Sequence, residues 1–219
     1  MSEASLELHF HPLSSFCQKA LVALYENDTP FERRIIDLAD PRSSAELRKL
    51  WPIGKFPVLR DRSRQRTIPE STIIIEYLAQ HYPGAMELVP GDPERARQTR
   101  LSDRFYDLCV NVPMQKIVGD RLRPAGRTDP FGVDQAREQL RIAYGVIDRE
   151  MGARTWAIGE DFTMADCAAA PALYYADLVL PLGPHAGAAA YFARLMKRPS
   201  FARAVDEAAP YRRLFPRGE

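Results

Sequence analysis

The sequence predicts two domains of different class, a small α/β domain built on a mixed four-stranded sheet and an all-α domain after it. Three observations carry this reading. Residues 1–82 run in the order β-α-β, loop, β-β-α. Residues 83–92 form a linker, since the stretch from Pro83 to Pro93 holds three prolines and two glycines. Residues 93–219 show helical periodicity throughout. A chain of 219 residues with 46% hydrophobic composition can bury the core this needs.

Leu6, Leu8 and Phe10 alternate with Glu7, His9 and His11, the period of a strand. Pro12-Leu13-Ser14 breaks it. Cys17, Ala20, Leu21 and Leu24 then recur at the spacing of a helix core stripe that ends near Tyr25. Asn27-Asp28 turns the chain into a second strand over Phe31 to Leu38, and a β-α-β unit makes these two strands parallel. Asp40-Pro41-Arg42-Ser43 opens an irregular helical segment through Leu50. Val58-Leu59-Arg60 and Arg66-Thr67-Ile68 flank the polar turn Asp61-Arg62-Ser63 as a hairpin. Ser71 starts a helix with Ile74, Ile75, Tyr77 and Leu78 facing inward, and Pro83-Gly84 ends it.

In the second domain Asp92-Pro93-Glu94 combines an N-cap acid, a proline at the first helical position and an acid in the first turn. Leu101, Phe105, Leu108 and Val112 are the expected core stripe, and Pro113 should kink the helix if it continues towards Leu122. Arg123 to Gly132 is a loop. Val133, Ala136, Leu140, Ile147 and Met151 mark the next helix. Thr163-Met164-Ala165-Asp166 reads as a capping box with Phe162 as its hydrophobic staple. The Ala-rich run from Cys167 to Leu180 is the central buried helix, stopped by Pro181 and Pro184. Two short helices, near Ala188–Lys197 and Ser200–Ala208, finish the chain.

Charge excludes several functions. The 30 Lys+Arg nearly cancel the 29 Asp+Glu, and residues 1–82 hold 11 of each, so neither part is a charged arm for nucleic acid or an anionic membrane. No apolar stretch reaches the roughly 18 residues of a membrane span. Met1-Ser2-Glu3-Ala4-Ser5 shows no secretory signal. Cys17, Cys109 and Cys167 are odd in number and far apart, which argues against a disulfide framework or a zinc cluster and favours a reducing cytoplasm. His9 and His11 share a strand face, but with no third ligand nearby no metal site is expected.

Three segments carry chemistry. Ser14-Ser15-Phe16-Cys17 puts a hydroxyl pair where the first strand gives way to the first helix, whose free N–H groups favour an anion. Lys55-Phe56-Pro57 precedes the third strand. Glu70-Ser71 opens the third helix: the acid can take an ammonium, and the serine with the helix N–H groups can take a carboxylate, so together they suit an α-amino acid end group.

The N-terminal half resembles the thioredoxin superfamily, with Ser14 at the position where that superfamily often has a nucleophilic cysteine, so thiol–disulfide exchange is disfavoured. Trp51-Pro52-Ile53-Gly54-Lys55-Phe56-Pro57-Val58-Leu59 is similar to the Asn-Pro-x-Gly-x-x-Pro-x-Leu segment of glutathione transferases, with Trp51 in place of Asn. With Glu70-Ser71 and the capping box, the chain as a whole resembles the cytosolic glutathione transferases, and Ser14-Ser15 with Ala23-Leu24 resembles their serine-type theta and zeta classes and bacterial relatives.

The resemblance implies the glutathione transferase fold, a cis peptide before Pro57, a homodimer, and conjugation of the glutathione thiolate to a small, hydrophobic electrophile. Glutathione is then the co-substrate, with no metal. Ser14 is the expected thiol-activating hydroxyl, and Ser15 exchanges roles with it if the register shifts by one residue. Lys55, Phe56, Pro57, Glu70 and Ser71 would bind glutathione, and Tyr106, Met114 and Lys116 lie where the family builds its electrophile site. A thiol of pKa about 8.5 must fall by about two pH units, about 2.7 kcal/mol, to be mostly thiolate at neutral pH; one hydroxyl and a helix N-terminus can supply that.

Each residue also has a plainer role. Ser14 suits an ordinary N-cap, Cys17 a small core residue, Lys55 a solvated loop lysine and Asp166 a structural cap. Glutathione-dependent isomerase, peroxidase or dehalogenase chemistry uses the same fold, although Lys19 and Leu21 stand where the zeta isomerases have arginines. Non-catalytic interaction modules use it too.

Overall fold

The computed structural model describes residues 5–216, so Met1–Ala4, read above as free of a secretory signal, lie outside the described residues. Four strands, β1 (Leu6–Phe10), β2 (Phe31–Ile35), β3 (Val58–Asp61) and β4 (Arg66–Pro69), form one sheet in the order β2-β1-β3-β4. β1 and β2 are parallel, and β3 is antiparallel to both β1 and β4. Helices α1 (Ser15–Glu26), α2 (Pro41–Leu50) and α3 (Ser71–His81) complete this domain. β2 ends three residues before the expected Leu38. Its ladder stops where β1 stops, at Phe10–Ile35, and Asp37 and Asp40 then turn the chain into α2, whose first turn Asp40 caps.

The linker is anchored rather than loose. Leu88 is buried in the helical core and its carbonyl accepts from Met164 N, while Asn27 exchanges two hydrogen bonds with the Met86 backbone. The helical domain holds α4 (Pro93–Phe105), a π-helical segment (Tyr106–Asn111), α5 (Val112–Arg121), α6 (Pro130–Met151), α7 (Met164–Val179), α8 (Ala186–Lys197), α9 (Pro199–Ala208) and a final 3₁₀ turn (Ala209–Leu214). The caps sit where the sequence places them: Asp92 accepts from Arg95 N, and Thr163 and Asp166 form a reciprocal capping box. Pro113 falls in the first turn of α5, and the expected kink takes the form of the wider π turn just before it.

The core stripe of α4 is the main correction. Leu101, Leu108 and Val112 are exposed, Leu101 by 64%, and Phe105 is only partly buried. The buried stripe is Ala96, Thr99, Asp103, Tyr106, Asp107, Val110 and Asn111. Hydropathy points to the wrong face because this helix buries a polar seam against the first domain.

Two main cores result. One lies between the sheet and α1 and α3 and includes Leu6, Leu8, Phe10, Leu21, Leu59 and Ile74. The larger one joins the helices around α7 and takes in Val22 and Ala23 of α1 and Ile75 of α3, so it crosses the domain boundary. The alanines of α7 at 165, 168, 169, 170, 172 and 176 are buried, and with no bulk beyond Cβ they let neighbouring helices approach closely.

Candidate functional site

The expected binding segments converge on one cleft of about 560 Å³ between the two domains, a normal size for a small-molecule site. Lys55, Phe56, Pro57, Glu70 and Ser71 all line it, joined by Phe16, Trp51, Thr72 and Ile73 of the same domain. The Phe56–Pro57 peptide is cis, as expected. From the helical domain come Arg104, Asp107, Leu108, Val112 and Gln115.

Glu70 caps α3 with a backbone φ of +71° and with no hydrogen bond from its side chain to the helix. A glutamate has no steric reason to adopt this left-handed conformation, which costs on the order of 1–3 kcal/mol and persists where surrounding structure enforces it. Its side chain makes no capping bond to the helix it begins, and Glu70 lines the cleft beside Ser71.

Ser14 and Ser15 do not line this cleft. Ser14 is half-buried, its backbone N–H donates to His11 O at 3.0 Å, and its Oγ accepts the Cys17 N–H at 3.4 Å as the N-cap of α1. Ser15 is buried in the first turn of the same helix. Cys17 is buried, and burial pushes its thiol up to about 12 despite its hydrogen bond with Ser14, so it is the inert core residue expected.

The three expected electrophile-site residues are likewise not on the lining. Tyr106 is 2% exposed in the helical core, where its ring lies 6.5 Å from that of Tyr191, and Met114 is buried in the same core. Lys116 pairs with Asp129 at the start of α6. The helical wall of the cleft is formed instead by the neighbouring face, with Arg104, Leu108, Val112 and Gln115.

Behind the cleft lies a buried charge cluster that the sequence reading missed. Lys19 of α1 is 1% exposed, and its Nζ lies 2.6 Å from Asp103 Oδ1 and 2.8 Å from Asp107 Oδ2. It also donates to Thr72 Oγ1 at 2.8 Å, and Thr72 donates onward to Asp103 Oδ2 at 2.8 Å. Burial pushes the Asp107 carboxyl up, opposed by the Lys19 ammonium beside it. The cluster ties α1, the first turn of α3 and α4 together directly beneath the Glu70–Ser71 corner. The available signal was a lysine inside the apolar run of α1 and two aspartates four apart, one on α4 and one on the π-helical segment that continues it.

Among the described residues no group of three His, Cys, Asp or Glu is placed to hold a metal ion. No described helix is long and apolar enough to cross a membrane.

A thioredoxin-like domain joined to a helical domain, with a cleft between them, is the fold of the glutathione S-transferases, and comparison with known proteins agrees. The glutathione S-transferase N-terminal domain model matches residues 8–86, and the C-terminal domain model matches residues 130–204. The chain belongs to the glutathione S-transferase family. It is 30% identical over 204 residues to FtsZ-localized protein A of Caulobacter vibrioides, covering 89% of this chain and 88% of that protein. It is 23% identical to glutathione S-transferase GstB of Escherichia coli, covering 88% and 93%. The crystal structure of a Methylobacillus flagellatus glutathione S-transferase with glutathione bound matches with a TM-score of 0.82 at 26% identity, covering 91% of this chain and 98% of that one.

Proposed function

We propose that the protein is a glutathione transferase that joins the glutathione sulfur to a small electrophile held by the helical wall of the cleft. The observation that carries this is the Glu70–Ser71 corner, where a carboxylate with no capping bond stands at the start of α3 and lines the same cleft as Lys55 and the cis Phe56–Pro57 segment. Glu70 takes the α-ammonium of the γ-glutamyl end, and Ser71 with the α3 N–H groups takes its carboxylate. Lys55 takes the far carboxylate. The bound structure of the Methylobacillus relative supports this reading.

Ser14 is the proposed thiol-activating group. Its capping bond uses the oxygen as an acceptor, so the hydroxyl can still donate to a thiolate. The thiol proton leaves to solvent, the sulfur forms a bond to carbon, and the displaced group departs with the electron pair of its own bond. The protein acts as a cytoplasmic homodimer in this reading; exposed Leu101 on α4 provides apolar surface for a second copy.

Calorimetry with glutathione tests the binding step. The wild type should bind, and Glu70→Ala should weaken binding at least about tenfold. Absence of binding by the wild type removes the reading.

The 30% identity to FtsZ-localized protein A favours a second reading, in which the fold serves as a protein-interaction module. The absence of both serines from the cleft lining agrees with it. Under this reading glutathione does not bind.

A further inference from the structure

The cleft carries one cation that no ion pair or side-chain hydrogen bond holds among the described residues and that the proposed glutathione contacts do not use; its one recorded interaction is a longer-range attraction to Asp107. Arg104 lines the cleft from α4, is exposed, and makes no ion pair or side-chain hydrogen bond among the described residues. The other charges there are accounted for. Asp107 is held by Lys19 at 2.8 Å, and Glu70 and Lys55 have their places in the proposed glutathione site. A second groove, about 540 Å³ between α4 and α6, makes a useful contrast. Its two arginines are both paired, Arg95 with Asp161 at 2.5 Å and Arg154 with Glu150 at 3.6 Å.

Arg104 shares the cleft with apolar side chains as well as with Asp107 and Gln115 of its own wall. Leu108 and Val112 follow it on the helical wall, both about half exposed, and Phe16, Trp51 and Ile73 line the cleft from the other domain. A guanidinium fork recognises a planar carboxylate through two parallel N–H donors, and its attraction is strengthened where apolar walls displace water.

We propose that Arg104 is a specificity-determining residue that makes this cleft select electrophiles combining an apolar body with a carboxylate. The body rests against Leu108, Val112 and the aromatic wall, and the carboxylate meets Arg104. This inference rests on the glutathione reading.

Three probes test it by calorimetry: glutathione, S-benzylglutathione and S-(4-carboxybenzyl)glutathione. The wild type should bind the carboxylated conjugate about fivefold more tightly than the uncharged one. Arg104→Met should erase that preference while leaving affinity for glutathione and S-benzylglutathione unchanged, and Arg104→Lys should restore part of it. Equal affinity of the wild type for the two conjugates overturns this inference alone. So does a loss of glutathione affinity in Arg104→Met, which would assign the arginine to glutathione itself. Failure of all three probes to bind the wild type overturns the glutathione reading and this inference with it. Because Arg104 makes no ion pair or side-chain hydrogen bond and acts on Asp107 only at longer range, the variant should unfold within a few degrees of the wild type, a control run alongside.

Discussion

Removing the Lys19 ammonium would leave Asp103 and Asp107 together in a buried space with no ion-pair partner, only the exposed Arg104 acting on Asp107 from beyond ion-pair distance. Lys19→Met should therefore cost about 3–5 kcal/mol at pH 7, far more than a surface pair, measured by denaturant unfolding. The pH dependence follows from the direction of the Asp107 shift. A carboxyl raised by burial favours the folded state when protonated, so its contribution is present below the ordinary carboxylate range and is lost as pH rises through its raised value. The deficit of Lys19→Met should accordingly be largest at neutral pH and shrink in acid. Adding Asp107→Asn should recover part of it at pH 7. Ser14 makes the opposite prediction. Its capping bond is long, so Ser14→Ala should lose no more than about 1 kcal/mol of stability. If Ser14 stabilises the thiolate, turnover should fall about tenfold or more with glutathione affinity unchanged. Full activity in Ser14→Ala with loss in Ser15→Ala would move the role to the buried neighbour.

At the level of elements, the β3–β4 hairpin and the end of α3 are joined through one carboxylate. Asp61 has no exposed side-chain surface and accepts from Tyr77 at 2.7 Å, Tyr82 at 2.6 Å, Ser63 at 2.7 Å and Arg64 N at 3.0 Å. Burial alone would raise its pKa, but the bonds from Tyr82, Ser63 and Tyr77 outweigh it and hold the carboxyl well below the usual range. A depressed carboxyl stabilises the fold above its unfolded pKa of about 3.9, and that contribution is lost as pH falls. Asp61→Asn should be less stable than the wild type by about 1–3 kcal/mol at pH 7, with the gap closing below about pH 4 in unfolding measurements across pH.

What was legible from sequence divides along the same lines. Strand alternation in Leu6–Phe10, the Asp92-Pro93 start and the Thr163–Asp166 box are local signals, and each element begins where its signal says. The Glu70-Ser71 and Phe56-Pro57 segments reach the cleft because a helix start and a strand start fix where they point. The α4 face failed because its buried side holds Asp103, Asp107 and Asn111, whose partners on α1 and α3 are distant in sequence. Tyr106 and Met114, expected at the site from the family resemblance, are core, while Leu108, expected in the core, lines the cleft beside Arg104.

Across the whole molecule, the two domains share too much to unfold separately. Val22, Ala23 and Ile75 of the first domain pack in the core of the second. Arg198 at the start of α9 donates twice to Glu26 of α1, at 2.8 and 2.6 Å, and stacks over Phe162 at 4.4 Å, while Ser200 donates to the same carboxylate. The Lys19 cluster adds a buried polar tie at the cleft end of the same seam. Separating the domains would expose part of the larger core and strand three buried charges, so a state with one domain folded and the other not should be sparsely populated. The sequence offers a direct probe, because its two tryptophans fall one in each domain, Trp51 beside the cleft and Trp156 against Phe162 at a 5.1 Å ring separation. Trp156→Phe leaves a reporter on the first domain, and Trp51→Phe leaves one on the second. Urea unfolding of the two variants should give a single transition in each, and far-UV circular dichroism should coincide with the fluorescence in both. In Arg198→Ala the Glu26 carboxylate loses its guanidinium partner, and coupling across the seam weakens with it. The fluorescence and dichroism curves should then begin to separate, with the Trp156 signal changing first. Two resolved transitions in the variants that keep Arg198 would show instead that the shared core does not hold the domains as one unit.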